Sequence, residues 1–293
     1  MKKINLAITQ MSCSWDRQKN IDNAVELVYE AAAQGANIVL LQELFETPYF
    51  CKDLNDKYFE LATSVEENPA VLQLKTIAKE LEIVIPVSIF ERANNAFFNT
   101  LVMIDADGEI LGKYRKTHIP DSFGYTEKYY FSPGDTGISV WDTKFCRVAV
   151  PVCWDQWFPE TARIATLKGA ELILYPTAIG SEPNSTDTKA LRHWQRTQQG
   201  HSAANVIPVA ASNRIGCETG ESCHMRFYGS SFITDHLGEI VVEASEDERQ
   251  VLVSEIDLGE AQRYRDLWNL FRDRRPELYQ PLMTLDGEQS HKR

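Results

Sequence analysis

The chain has 293 residues, 43% apolar and 25% charged, a mixture that supports a substantial buried core and excludes a disordered or fibrous protein. Its formal net charge of -12 repels phosphate backbones, so nucleic acid is not an expected partner. No apolar stretch reaches the ~20 residues of a bilayer-spanning helix, and the six cysteines (13, 51, 146, 153, 217 and 223) form neither a dense framework nor a Cys-x-x-Cys pair.

The opening Met1-Lys2-Lys3 looks like a signal n-region, but Thr9-Gln10 ends the apolar run and no small-residue cleavage site follows. The expected location is the cytoplasm, with reduced thiols and no membrane contact. Apolar runs rich in β-branched residues predict strands over 4–8, 37–41, 83–90, 100–104, 109–114, 147–152, 171–175, 206–211, 232–235, 239–242 and 251–256. Many are continuous rather than alternating, which suits strands covered on both faces. Between them, Ile21, Ala24, Val25, Val28 and Ala32 share a helical stripe closed by Gly35, and Val71, Leu74, Ile77 and Leu81 make a second. A third helix is expected from Pro159 to Gly169 and a fourth within 189–204. Asp105-Ala106-Asp107-Gly108 and His236-Leu237-Gly238 read as hairpin turns, so the expected class is α/β with a mixed sheet. With no linker-like tract, 1–285 reads as one domain and 286–293 as a polar tail.

Three polar residues end apolar runs, where open α/β sheets place their ligands. The run 37–42 leads into Glu43, 109–115 into Lys116, and 148–152 into Cys153. A carboxylate, an ammonium and a thiol are the types needed for a base, an oxyanion stabiliser and a nucleophile. A thiol at a strand-to-helix turn also feels the positive helix N-terminus, which favours thiolate. Residue types alone leave open a Cys153 that is a small buried hydrophobe, and a solvated Glu43 and Lys116. Cys217, Cys223 and His224 fit no zinc spacing well. His118 and His201 read as structural hydrogen-bonding residues.

The segments 40–46, 114–120 and 150–160 resemble the Glu, Lys and Cys motifs of the nitrilase (carbon–nitrogen hydrolase) superfamily, and the resemblance runs from Ile4 to Tyr279. Within it, Lys116-Thr117-His118-Ile119-Pro120, the stretch 124–135, Ser181-Glu182-Pro183, His193-Trp194, 200–205, 211–216 and 272–279 resemble the N-carbamoylputrescine amidase branch. One departure is Pro151, where the family usually has Gly or Ala; proline removes a donor and fixes φ, so an adjusted strand is expected there.

The resemblance implies a four-layer α–β–β–α sandwich with mixed sheets and a homo-oligomer, dimer or higher. It implies that Cys153 attacks a carbonyl, Glu43 moves the proton and Lys116 stabilises the oxyanion, with no cofactor and no metal. Glu127 matches the family's second glutamate and is expected to orient Lys116. Relatives acting on carbamoyl amino acids carry an arginine soon after the cysteine, to grip a carboxylate. Here Gln156 and Trp157 stand in that stretch, while Glu182 offers a negative charge. The expected substrate is therefore a small cationic ureide, with Trp154, Trp157 and Tyr125 lining its slot. The alternatives are a carbamoyl amino acid, an ω-amide, or a non-catalytic interaction protein of the same fold.

Overall fold

In the computed structural model, which describes residues 2–185, 187 and 189–288, the chain opens with a strand–helix–strand unit. β1 (Lys3–Gln10) leads to α1 (Arg17–Ala33), whose N-cap Asp16 accepts from the Lys19 N–H and whose buried stripe is Ile21, Ala24, Leu27, Val28 and Ala31. The chain then turns at Gly35, in the left-handed region at φ 82°, and enters β2 (Ile38–Leu40) parallel to β1. In β2, Ile38 and Leu40 point into one apolar cluster and Val39 into another. Successive strand residues face opposite ways, so a run apolar at every position folds into a strand buried on both sides. α2 (Pro69–Leu81), capped by Asn68, joins α1 over the Val39 face.

β3 (Ile85–Ala93), β4 (Ala96–Ile104) and β5 (Ile110–Arg115) form an antiparallel meander. It is stitched to β2 by the Val39 N–H on the Val84 carbonyl at 3.0 Å and the Val84 N–H on Asn37 at 2.9 Å. The second half supplies β6 (Trp141–Asp142), β7 (Arg147–Ala149), α3 (Pro159–Leu167), β8 (Leu172–Pro176), α4 (Lys189–Asn205) and β9 (Val209–Ser212). β7, β8 and β9 are parallel neighbours, as crossovers through α3 and α4 require. A hairpin of β10 (Ile215–Thr219) and β11 (His224–Tyr228) follows. β12 (Phe232–Thr234) and β13 (Ile240–Glu243) then extend the second sheet, whose order is β13-β12-β9-β8-β7-β6. β14 (Gln250–Asp257) returns to pair antiparallel with β1 along its whole length, and α5 (Leu258–Trp268) closes the fold.

The two mixed sheets meet through Leu6, Ile8, Leu40, Leu101 and Met103 on one side and Val148, Leu172, Leu174 and Ala210 on the other. α1 and α2 cover the first sheet and α3 and α4 the second, which gives the expected four-layer α–β–β–α sandwich.

Two expectations are corrected. The strand expected over 147–152 stops at Ala149, so Pro151 lies beyond the ladder and removes no sheet hydrogen bond. The run 206–211 starts as a turn with Val206 at φ 50°, and its strand begins only at Val209. The hairpin β10–β11 absorbs Cys217 and His224 into paired strands, and among the described residues no group of three or more His, Cys, Asp or Glu could hold a metal ion. Residues 289–293 of the expected tail lie outside the described residues.

Candidate active site

Glu43, Lys116 and Cys153 sit just beyond the carboxyl ends of β2, β5 and β7, and the sandwich brings the three ends together. The Lys116 ammonium donates to Glu43 Oε1 at 2.8 Å and to both oxygens of Glu127 at 3.0 and 2.7 Å. All three side chains are essentially solvent-free. An ion pair this deep survives only when its remaining lone pairs are satisfied. Asn99 in β4 donates to Glu43 Oε1 at 2.7 Å, and the Tyr49 hydroxyl to Glu127 Oε1 at 2.7 Å. Glu43 Oε2 is buried with no hydrogen-bond partner among the described residues. It is an acceptor held ready for a proton.

Cys153 opens a 3-10 turn (Cys153–Trp157) and holds its backbone at φ 42°, a left-handed conformation that costs a non-glycine residue about 1–2 kcal/mol. Its Sγ lies 3.8 Å from the Ala178 carbonyl. Burial pushes the thiol well above its ordinary pKa, the Glu43 charge adds to this, and Lys116 offsets only part. The expectation of a thiolate favoured by a helix N-terminus is therefore corrected. With its pKa raised, a Cys153 that acts as nucleophile needs a base to take its proton during attack. For Lys116, burial works against the charge, but Glu127 and Glu43 outweigh it and hold the ammonium protonated well above the usual range. Burial pushes Glu127 up to about 7 in spite of Lys116 beside it.

A buried Asp155 locks the nucleophile turn to the lysine loop. Its carboxylate accepts from the Val152 N–H at 3.0 Å, the Tyr114 hydroxyl at 2.7 Å and the His118 N–H at 3.0 Å. The His118 ring meets the same carboxylate at 2.7 Å and stacks on Phe158. His201 bonds the Gln156 carbonyl at 2.7 Å, so both histidines are hydrogen-bonding residues of the frame.

The expected binding residues divide. Trp154 is 39% exposed beside the nucleophile. Trp157 packs between Trp154 and His193 of α4, with ring centroids 6.2 and 4.9 Å away. Gln156 is fully buried and accepts from the Trp194 indole N–H at 2.8 Å, so it anchors α4. Tyr125 receives the Gly180 N–H at 3.4 Å and packs against Tyr49 at 5.7 Å. Burial pushes the Tyr125 phenol up, the Gly180 N–H offsets part of this, and the Glu182 charge adds to the rise. Glu182 is exposed, on a loop pinned to β11 by the Asn184 N–H on the His224 carbonyl at 2.9 Å and the Ser181 N–H on Arg226 at 2.8 Å. That loop touches the Tyr125 segment: a Cβ on Gly124 would meet Pro183 Cγ at 2.3 Å.

The sequence profile of the family described as Carbon-nitrogen hydrolase matches residues 5–266. This chain is a carbon–nitrogen hydrolase. A relative from Oryza sativa subsp. japonica, named N-carbamoylputrescine amidase, is 51% identical over 98% of this chain and 97% of its own length. One from Francisella tularensis, named citrullinase, is 50% identical over 97% and 99%. The crystal structure of a carbon–nitrogen hydrolase from Helicobacter pylori G27 superposes with a TM-score of 0.90 at 37% identity, covering 97% of this chain and 99% of that one.

Several residues of this carbon–nitrogen hydrolase site were not singled out from sequence. Asn99 is a lone amide inside an apolar strand, and Asp155 a lone carboxylate in a stretch that holds Trp154, Trp157 and Phe158; a buried polar residue in an apolar context was the available signal. Tyr49 and Arg214 carry no such signal, because the Glu127 and Glu43 groups they reach are 78 and 171 residues away. Among the described residues, no helix is long and apolar enough to cross a membrane.

Proposed function

We propose that the protein hydrolyses N-carbamoylputrescine to putrescine, ammonia and carbon dioxide through a thioester at Cys153. The observation that carries the mechanism is the unpartnered Glu43 Oε2 in a buried cluster with Lys116 and a protonated Cys153. Glu43 takes the thiol proton as sulfur attacks the ureido carbon. The resulting oxyanion is met by Lys116 and by the Trp154 N–H, in a first turn whose donors have no acceptor one turn back. Collapse breaks the carbon–nitrogen bond, and Glu43 returns the proton to the departing ammonia. Water, deprotonated by Glu43, then cleaves the thioester, and the released carbamate loses carbon dioxide to leave the amine. Glu127 holds Lys116 oriented and charged throughout.

The cationic end of the substrate is assigned to Glu182, with Tyr125 and Trp154 along the chain between. Three supports stand together: the Glu182 loop docks on the Tyr125 segment, no arginine follows the nucleophile, and relatives near 50% identity are named N-carbamoylputrescine amidase. Trp157, turned toward α4, contributes by holding Trp154. The protein is proposed to work in the cytoplasm as a homo-oligomer. The exposed Leu267, Trp268, Leu282 and Met283 near the C-terminus support association, which sedimentation would test.

The deciding experiment is ammonia release from N-carbamoylputrescine, citrulline, N-carbamoyl-β-alanine and a simple ω-amide. The expected order puts N-carbamoylputrescine first, at least about 100-fold in kcat/KM above N-carbamoyl-β-alanine, because a carboxylate end meets Glu182 unpaired. A higher kcat/KM on citrulline or a carbamoyl amino acid would overturn the substrate assignment and leave the chemistry intact.

A further inference from the structure

We propose that Arg214 is a positioning residue for the reaction, holding the Glu43 side of the site through main-chain carbonyls and the Glu127 side through Glu218 and Tyr49. Arg214 lies between β9 and β10 and is completely buried. One guanidinium nitrogen, Nη2, donates to the carbonyls of Glu43 at 2.9 Å and Leu44 at 3.1 Å. The other, Nη1, donates to Glu218 Oε1 at 2.7 Å and the Thr47 carbonyl at 3.3 Å. Glu218 Oε2 accepts the Tyr49 N–H at 2.6 Å, and the Tyr49 hydroxyl donates to Glu127 Oε1 at 2.7 Å.

Both carboxylates flanking Lys116 are thus tied to a single guanidinium, one directly through its backbone and one through two bonded intermediaries. The direct tie has a specific task. Leu44, immediately after the proposed base, is held at φ 48°, a backbone state a leucine does not adopt unless its surroundings impose it. Nη2 bridges the two carbonyls on either side of that strained residue's nitrogen and α-carbon, while Nη1 of the same planar fork holds Glu218 and the Thr47 carbonyl. A lysine supplies charge from one nitrogen without the fork, so it cannot hold these carbonyls and Glu218 together in that geometry. Burying a guanidinium is costly and is tolerated here only with the partner Glu218.

The inference rests on the reading of Glu43 as the base. The test compares Arg214→Lys, Glu218→Gln, Tyr49→Phe and the Arg214→Lys/Tyr49→Phe double variant. Arg214→Lys is expected to lower kcat about 100-fold with KM within about threefold, while its folded fraction at the assay temperature matches wild type. The double variant is expected to lose less than the product of its single losses, because both substitutions cut one chain of contacts. Retention of kcat within about threefold, multiplicative losses, or a loss that tracks the unfolded fraction would overturn the proposal. If Arg214→Lys does not fold, Glu218→Gln with Tyr49→Phe decides by the same readouts. Iodoacetamide labelling of Cys153, followed by peptide mass spectrometry, separates this proposal from the substrate assignment. Wild type silent on every ureide would sink the assignment, whereas at least about tenfold slower labelling of the Arg214→Lys thiol would still support the positioning role, and equal labelling would refute it.

Discussion

Both carboxylate oxygens of Glu127 accept from the ammonium of Lys116, at 3.0 and 2.7 Å, with both side chains buried from solvent. The same ammonium reaches Glu43, so the lysine is shared between two acids, and in the proposed mechanism one keeps it in place while the other moves protons. Replacing Glu127 by Gln leaves the volume but removes the charge that keeps Lys116 protonated. The expected result is a fall in kcat of about 100-fold or more with a smaller change in KM, read by steady-state ammonia release.

Asp155 accepts four contacts that join the Cys153 turn to the Lys116 loop. Asparagine has one acceptor oxygen and must aim an amide at donors. Asp155→Asn is therefore expected to lose about 3 kcal/mol of stability, measured by urea unfolding, together with activity.

Gly124 stands at φ 76°, and a Cβ there would come within 2.3 Å of Pro183 in the loop that carries Glu182. Gly124→Ala is expected to displace that loop while leaving Glu43, Lys116 and Cys153 in place. KM for the cationic ureide should rise about tenfold, with kcat changed much less. Glu182→Gln should produce a similar KM effect for N-carbamoylputrescine and none for an uncharged amide. An equal effect on both substrates would remove Glu182 from the binding site.

Glu91 in β3 links stability to pH. Burial pushes its carboxyl up, but hydrogen bonds from Arg115, Lys113 and Thr100 outweigh this and hold it at about 2, below the ordinary 4.5. A folded-state pKa below the unfolded one gives stability that is present above pH 4.5 and lost as pH falls through about 2. The shift corresponds to about 3 kcal/mol. Urea midpoints measured across that window should fall steeply for wild type. Glu91→Gln should start less stable at neutral pH and show a flatter decline.

How far the sequence could be read depended on whether the information was local. Strand β2 was legible because Ile38, Val39 and Leu40 must each find a covered face, and α1 because Ile21, Ala24 and Val28 recur at helical spacing. Glu43, Lys116 and Cys153 were nominated by their place at strand ends, but their meeting depends on two sheets packing and is not written in any one segment. The protonation state of Cys153 was misjudged for the same reason: the local turn argues for a thiolate, while burial beside Glu43 decides for a thiol. Asn99, Tyr49 and Arg214 reach their partners across 56, 78 and 171 residues of sequence, a separation that no periodicity records.

Acid quenching of the enzyme mixed with N-carbamoylputrescine, followed by peptide mass spectrometry, reveals whether a covalent intermediate forms on Cys153. The predicted result is a carbamoyl-type adduct on the Cys153 peptide alone, absent from Cys153→Ala, which also releases no ammonia above background. Steady ammonia release by Cys153→Ala, or an adduct on another of the six cysteines, would contradict it.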